Sequence, residues 1–302
     1  MNQRPPNSGF EQRRASVSPF WLVVGAAVLW STGGLFIKAS TLSAPALSCW
    51  RSLFAAATVM LLTRREGFRL NRVTASASVL YAALLLLFVM ATKLTIAANA
   101  IFLQYTAPIY ILLLEPLLYR EKYRARDFAV IACCLAGMSL FFVGQLRPQD
   151  VSGNLAALAS GFCFAFFYLL LRHPRAREVN RASSVIYGNW LLVGLTLPYL
   201  IGETNQLTAT NLAIVAYLGI VQIGFAYALM TLGIARGVKS LDAGIIGYVE
   251  PVLNPVWVFL FIGERPSDYA LVGGAIIIVA VVAHALLKSK VQSSKSKVKS
   301  LS

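Results

Sequence analysis

The chain has 302 residues, 58% of them hydrophobic and 13% charged, with a mean hydropathy of +0.68. So little charge cannot cover a water-soluble domain of this size. The formal net charge of +15 raises nucleic acid as a partner, but that charge is confined to short segments between long uncharged runs, which excludes such a role.

A bilayer core about 30 Å thick needs about 20 apolar residues per helical crossing. Ten runs of roughly that length follow one another. A polar arm, 1–19, with Arg4, Arg13 and Arg14 leads into Phe20–Ile37, which carries Trp30, with Lys38 beyond it. The run is retained as a first helix rather than cleaved as a signal peptide, since nine more follow. Ala46–Leu62 holds Arg51, the odd charge within a run; snorkelling outward along its stem is the first expectation, with pairing to Glu250 or holding a substrate carboxylate as the alternatives. Val73–Thr92 carries Tyr81. Ala97–Tyr119 is the most polar so far, with Asn99, Gln104, Tyr105, Pro108 and Glu115. Asp127–Val143 has small residues, Ala132, Ala136 and Gly137, at the spacing of close helix packing.

Gly153–Leu171 carries Phe164 and Tyr168, and Ser183–Ile201 follows. Leu212–Ala235 contains Gln222 and Tyr227. Asp242–Ile262 holds Tyr248, Glu250, Pro251 and Asn254, and Tyr269–Leu287 closes the series, with Gly273 and Gly274 as its small face. The tail, 289–302, is basic and polar and is expected to be disordered against anionic lipid heads. Barrel strands would alternate apolar and polar residues; runs such as YAALLLLFVMA do not. The four cysteines sit within runs and have no metal-ligand spacing.

With the N-terminus inside and the sides alternating, 22 of the 27 basic residues fall on the inside. Cytoplasmic loops carry that excess because basic segments resist translocation. Both termini are therefore expected in the cytoplasm.

The chain states one pattern twice. YTAPIYILLLEPLLYREKY, Tyr105 to Tyr123, returns 143 positions later as YVEPVLNPVWVFLFIGERPS: Tyr105 falls on Tyr248, Pro108 on Pro251 and Glu121 on Glu264. Trp30 and Lys38 likewise fall on Phe164 and Arg172. Five helices per copy is an odd number, so the second copy enters from the opposite side. Inverted repeats of this kind place a substrate site at their interface near the midplane. The boundaries expected are 20–147 and 148–288.

On these residues the chain resembles the EamA-type branch of the drug/metabolite transporter superfamily, over about Phe20 to Leu287. The LWSTGGLFIK start is similar to that of bacterial amino-acid exporters. The resemblance implies an all-α, basket-like fold of ten transmembrane helices in two inverted repeats. It implies a secondary transporter of small metabolites in the bacterial inner membrane, first of all an amino-acid exporter. A drug or other-metabolite exporter is the alternative within transport. Phe164 stands where that family commonly has a tryptophan, which leaves contacts on this helix open.

Polar and aromatic groups at membrane depth face a cavity or a partner. The expected substrate cavity is Trp30, Tyr81, Asn99, Gln104, Tyr105, Phe164, Tyr168, Gln222, Tyr227, Tyr248, Glu250 and Asn254. Packing competes with lining for the tyrosines 105 and 248, and helix tying for the two glutamines. Pro108 and Pro251 each free a carbonyl one turn earlier, near Gln104 and Gly247, and are expected to divide their helices as hinges, with a static kink that widens the cavity as the alternative. Glu121 and Glu264 are expected at helix ends as caps.

Two other classes compete. An integral-membrane enzyme would need a nucleophile with its base, paired carboxylates or metal ligands. The sequence has no H-E-x-x-H, G-x-S-x-G or P-loop. A scaffold would not need matched polar residues in both copies. No cofactor or metal, no nucleic acid and no partner beyond solute and lipid is expected, and a monomer is adequate.

Overall fold

The computed structural model describes residues 18–95, 97–120, 123–140, 143, 150–180, 182–201, 206–238, 240–262 and 267–299. Every regular element among them is helical. The first repeat contains α1 (Pro19–Ser31), α2 (Gly33–Ala39), α3 (Ala44–Thr63), α4 (Arg72–Leu94), α5 (Ala97–Gln104), α6 (Ala107–Tyr119) and α7 (Ala125–Ser139). The second contains α8 (Val151–Arg172), α9 (Ser183–Thr196), α10 (Ala209–Tyr217), a π-helical stretch at Leu218–Phe225, α11 (Ala226–Ala235), α12 (Ser240–Gly247), α13 (Val249–Ile262) and α14 (Asp268–Lys299). Among the described residues seven helical stretches are long and apolar enough to cross a membrane, with α1–α2, α5–α6, α12–α13 and the run from α10 through the π stretch to α11 each counting as one. Helices α7 and α9 are shorter, at 15 and 14 residues.

The packing repeats with the sequence. Helix α4 packs on α8 as α11 packs on α1. Helices α5 and α6 lean on α8 as α12 and α13 lean on α1. Helix α3 meets both α9 and the π stretch, and α9 meets both α3 and α4. Exchanging the two repeats leaves this contact scheme unchanged, so they are related by a pseudo-two-fold. Helices α7 and α14 pair with each other across it through small residues. A Cβ on Gly137 would lie 2.8 Å from the Gly273 carbonyl oxygen.

Three stretches break at chemically legible points. Between α1 and α2 the sequence is Ser-Thr-Gly-Gly. The Ser31 and Thr32 hydroxyls donate back to the carbonyls of Val28 (2.6 Å) and Leu29 (2.7 Å), contacts that bend helices. Gly33 and Gly34 leave room for the side-chain amides of Gln222 and Asn254, which a Cβ would meet at 2.8 and 2.5 Å. Those amides donate to the freed carbonyls of Trp30 (3.5 Å) and Ser31 (3.2 Å).

The other two breaks fall at Tyr105–Thr106 and at Tyr248, matched positions 143 apart in the repeat. Pro108 and Pro251 follow in the first turn of the new helix, where a missing N–H costs nothing. Each proline lacks the N–H that would bond the carbonyl four residues back, and the preceding helices end at those residues, Gln104 and Gly247. The breaks therefore fall one turn before the prolines, which start the next half.

The C-terminal tail also departs from expectation. Helix α14 runs to Lys299, because neither glycine nor proline interrupts it beyond Gly274 and its lysines are good helix formers. Glu121 and Glu264 lie outside the described residues.

Candidate substrate cavity

A central cavity lies between the two repeats and is lined by residues of both. Trp30 of α1 and Arg51 of α3 reach it from the first copy, with Tyr81, Leu84, Leu85 and Phe88 of α4 and Gln104 of α5. From the second come Phe164, Phe167, Tyr168 and Leu171 of α8, Gln222 and Ile223 of the π stretch, Tyr227, Met230, Thr231 and Ile234 of α11, and Glu250 of α13. A smaller void shares Trp30, Phe164, Tyr168 and Met230 and continues to Tyr105, Pro108, Gly244 and Gly247.

Eight of the twelve residues expected from sequence therefore meet in one cavity: Trp30, Tyr81, Gln104, Phe164, Tyr168, Gln222, Tyr227 and Glu250. Tyr105 borders the adjoining void. Asn99, Tyr248 and Asn254 border neither; they are buried in helix contacts. Asn99 donates to the Thr95 hydroxyl at 3.4 Å, and Asn254 serves the break in the first stretch. Tyr248 donates its hydroxyl to the Tyr105 carbonyl at 3.2 Å, meeting a backbone group loosened by the break there. Tyr105 in turn donates to Glu250 Oε2 at 2.6 Å, and the two tyrosine rings lie 5.4 Å apart. The residues matched by the repeat thus touch across its two-fold.

Arg51 corrects the sequence reading most. Of the expectations for it, snorkelling is excluded: it is 1% exposed and faces the cavity. Helix α3 is buried around it, at Leu47, Ser48 and Ser52, so the stem has no route to the surface. Its Nη2 makes one long hydrogen bond, 3.4 Å, to the Leu85 carbonyl, and its Nε has no partner among the described residues. Gln222 Oε1 is likewise buried without a partner on the same wall. The apolar lining, such as Leu84, Met230 and Ile234, was not foreseen. Nothing in its residue types separates it from lipid-facing leucine and isoleucine.

The two ends of the cavity differ. The lining runs toward Leu171 and Ile234, next to the basic ends at Arg172 and Arg236. There Arg172 pairs with buried Glu115 and lies 5.3 Å from the centroid of the Tyr119 ring. The Tyr119 hydroxyl donates to the Leu169 carbonyl at 2.6 Å, so this ring is a helix contact rather than a membrane-belt anchor.

At the opposite end polar groups tie both copies together. Asn211 of α10 accepts from the Ser40 hydroxyl (3.1 Å) and the Thr41 amide (3.3 Å), and donates to the Thr41 hydroxyl (2.8 Å). Lys38 donates to the Thr95 carbonyl at 2.7 Å, and Lys93 to the Ser40 carbonyl at 2.6 Å. Each ammonium thereby caps the carbonyl end of the other's helix. Beneath them the Thr32 hydroxyl and the Tyr217 phenol share a hydrogen bond of 3.1 Å, and Phe36 packs on Tyr217.

Among the described residues no group of histidine, cysteine, aspartate and glutamate has the makings of a metal site. His284 instead meets Asp242 at 3.0 Å, joining α14 to α12.

The EamA-like transporter family model matches residues 18–143 and 151–285, one match per repeat, and the chain belongs to that family. It is 26% identical over 197 residues to the uncharacterized transporter YdfC of Bacillus subtilis (strain 168), covering 63% of this chain and 62% of that protein. The match thus spans less than two-thirds of YdfC's length. An uncharacterized transporter of Archaeoglobus fulgidus is 25% identical over 268 residues, 86% of this chain and 93% of that one. A probable terminal-alkyne amino-acid exporter of Streptantibioticus cattleyicolor is 26% identical over 194 residues, 62% and 63% of the two chains. A crystal structure with 22% identity and a TM-score of 0.75, covering 90% of this chain and 98% of that one, shares the fold.

Proposed function

We propose that this member of the EamA-like transporter family is a secondary exporter of small amphipathic metabolites, amino acids first among them, working by alternating access. The observation that carries the reading is the central cavity. It is lined from both repeats by rings and a few directed polar groups, is tied shut at one end and extends toward the other. Aromatic walls with sparse polar groups suit a solute with an apolar body and a polar head. The amino-acid assignment draws on the relative described as a probable amino-acid exporter.

In this reading the chain crosses the inner membrane ten times, with α7, α9 and α14 completing the seven longer stretches. The basic ends at Arg172 and Arg236 face the cytoplasm by the positive-inside rule. The cavity then faces inward, and the Asn211 network is the closed outer gate. An exporter that loads from the cytoplasm rests in this arrangement.

The test is flux without ATP. Proteoliposomes holding the purified full chain are preloaded with each of the twenty amino acids in turn, and counterflow of the labelled amino acid is followed. Saturable counterflow of at least one supports the reading. Sealed vesicles that move none of them, nor a panel of amines, sugars and drugs, reject transport.

A further inference from the structure

The cavity carries a cation that its own structure leaves underused. Arg51 is fully buried among Tyr81, Leu84, Leu85 and Phe88 and faces the open space. Among the described residues it has no carboxylate partner, its Nε has no hydrogen-bond partner, and its contact with the Leu85 carbonyl is at the long limit for such a bond. Guanidinium presents five donors in a rigid fork and stays charged. A buried charge is costly unless paired and hydrogen-bonded. An arginine serving only to tie α3 to α4 would use its fork on carbonyls at short distance, as Lys38 and Lys93 do at the far end with 2.7 and 2.6 Å. Glu250 lines the same cavity, but its carboxyl already takes the Tyr105 hydroxyl at 2.6 Å.

From this geometry we infer that Arg51 is the anchor for a carboxylate on the transported solute, gripping it through both arms of the fork. It is thereby the residue that selects acids over their amides and amines. The inference deepens the reading of the cavity as a solute path and rests on it. Planar two-point recognition of carboxylate is what arginine does and lysine does not. A hydrogen bond to a charged group contributes about 1.5–3 kcal/mol. Loss of the carboxylate is therefore expected to weaken binding at least about tenfold.

The experiment compares acid with amide. For each amino acid that counterflows in proteoliposomes, competition by the free acid is set against its carboxamide and its decarboxylated amine. The acid is expected to compete at least about tenfold better in the wild type. In Arg51→Gln the acid and amide are expected to compete within about twofold, with Arg51→Lys between the two. A wild-type protein that takes amide and acid equally overturns the inference, as does an Arg51→Gln protein that keeps the discrimination. If Arg51→Gln fails to fold, the wild-type comparison alone decides.

If no amino acid moves, the amino-acid assignment fails separately. Arg51 is then read in detergent by thermal melting with acetate, propionate, lactate and benzoate against their amides. Upward shifts from the carboxylates alone, reduced in Arg51→Lys and absent in Arg51→Gln, support the anchor. Absence of any shift overturns it. Equal shifts from chloride or inorganic phosphate overturn it too, marking a general anion or a lipid phosphate as the partner.

Discussion

Removing the Asn211 amide should open the sealed end. In Asn211→Ala three hydrogen bonds to Ser40 and Thr41 disappear together: from the Ser40 hydroxyl, from the Thr41 amide and to the Thr41 hydroxyl. Side-chain bonds between helices in membranes average about 0.6 kcal/mol, so the three together come to about 2 kcal/mol. At 1.4 kcal/mol per decade that shifts the closed–open equilibrium about 25-fold. The two lysine caps remain, so the end loosens without dissolving. The assay uses a chain with Cys49, Cys133, Cys134 and Cys163 replaced and a single reporter, Gln222→Cys, on the cavity wall. A membrane-impermeant thiol reagent is added on the side where Thr210 is exposed. While the open state is rare, the labelling rate is proportional to its population, so the rate should rise about 10–30-fold. Asn180→Ala, which removes a bond to the Gly67 carbonyl at the basic end, should leave that rate unchanged. An unchanged rate in a folded Asn211→Ala chain would refute the gate.

Glu115→Gln should lower the melting temperature. Breaking a buried ion pair by deleting one partner costs about 3–5 kcal/mol, but the Arg172 side chain is 25% exposed and can reach water, so about 1–3 kcal/mol is expected here. Detergent-solubilised melting of this variant against the reversed pair Glu115→Arg with Arg172→Glu measures it; no loss in the single variant contradicts the pairing. Glu250→Ala strands the buried Tyr105 hydroxyl and should cost about 1–3 kcal/mol, whereas Glu250→Gln keeps an acceptor and should melt near wild type. Equal melting of the two would mean that the contact carries no stability. Pro108→Ala with Pro251→Ala returns an N–H to each first turn and lets the half-helices join through Gln104 and Gly247. Flux should fall while solute still protects the cavity from thiol labelling. Full flux in the folded double variant would remove the hinge from the mechanism.

The legible part of this fold was whatever polarity or periodicity marks in an apolar chain. Tyr81, Gln104, Gln222 and Glu250 are costly at membrane depth, and each is placed on the cavity wall. Leu84, Ile223 and Ile234 cost nothing there or facing lipid, so their part in the lining is written only in tertiary packing. The same blindness explains Asn99, Tyr248 and Asn254. Their polarity signalled a buried partner: for Tyr248 and Asn254 it is a carbonyl at a broken helix, and for Asn99 the hydroxyl of Thr95, the C-cap of α4, rather than the cavity. The snorkelling expectation for Arg51 rested on its distance to a helix end. Distance along α3 does not show that the helix is buried around it.

Departures from the repeat are as informative as the repeat. The two-fold equates the pair α4–α8 with the pair α11–α1. Helices α4 and α8 are each continuous, over 23 and 22 residues. Their counterparts are not: the first stretch breaks at Thr32, and the other carries the π-helical Leu218–Phe225 ahead of α11. Irregular backbone at membrane depth survives only where protein or a cavity satisfies it, and π segments gather at functional sites. Here Trp30 ends the last turn before the break, Gln222 sits within the π stretch, and the Gln222 amide reaches the Trp30 carbonyl. The weak points of both stretches therefore meet each other at the cavity wall. One two-fold-related pair is built as a rod and the other as a joint. In the alternating-access reading, a motion that opens the Asn211 end would be accommodated in the jointed pair first, because at its break the Trp30 and Ser31 carbonyls are already taken by side-chain amides.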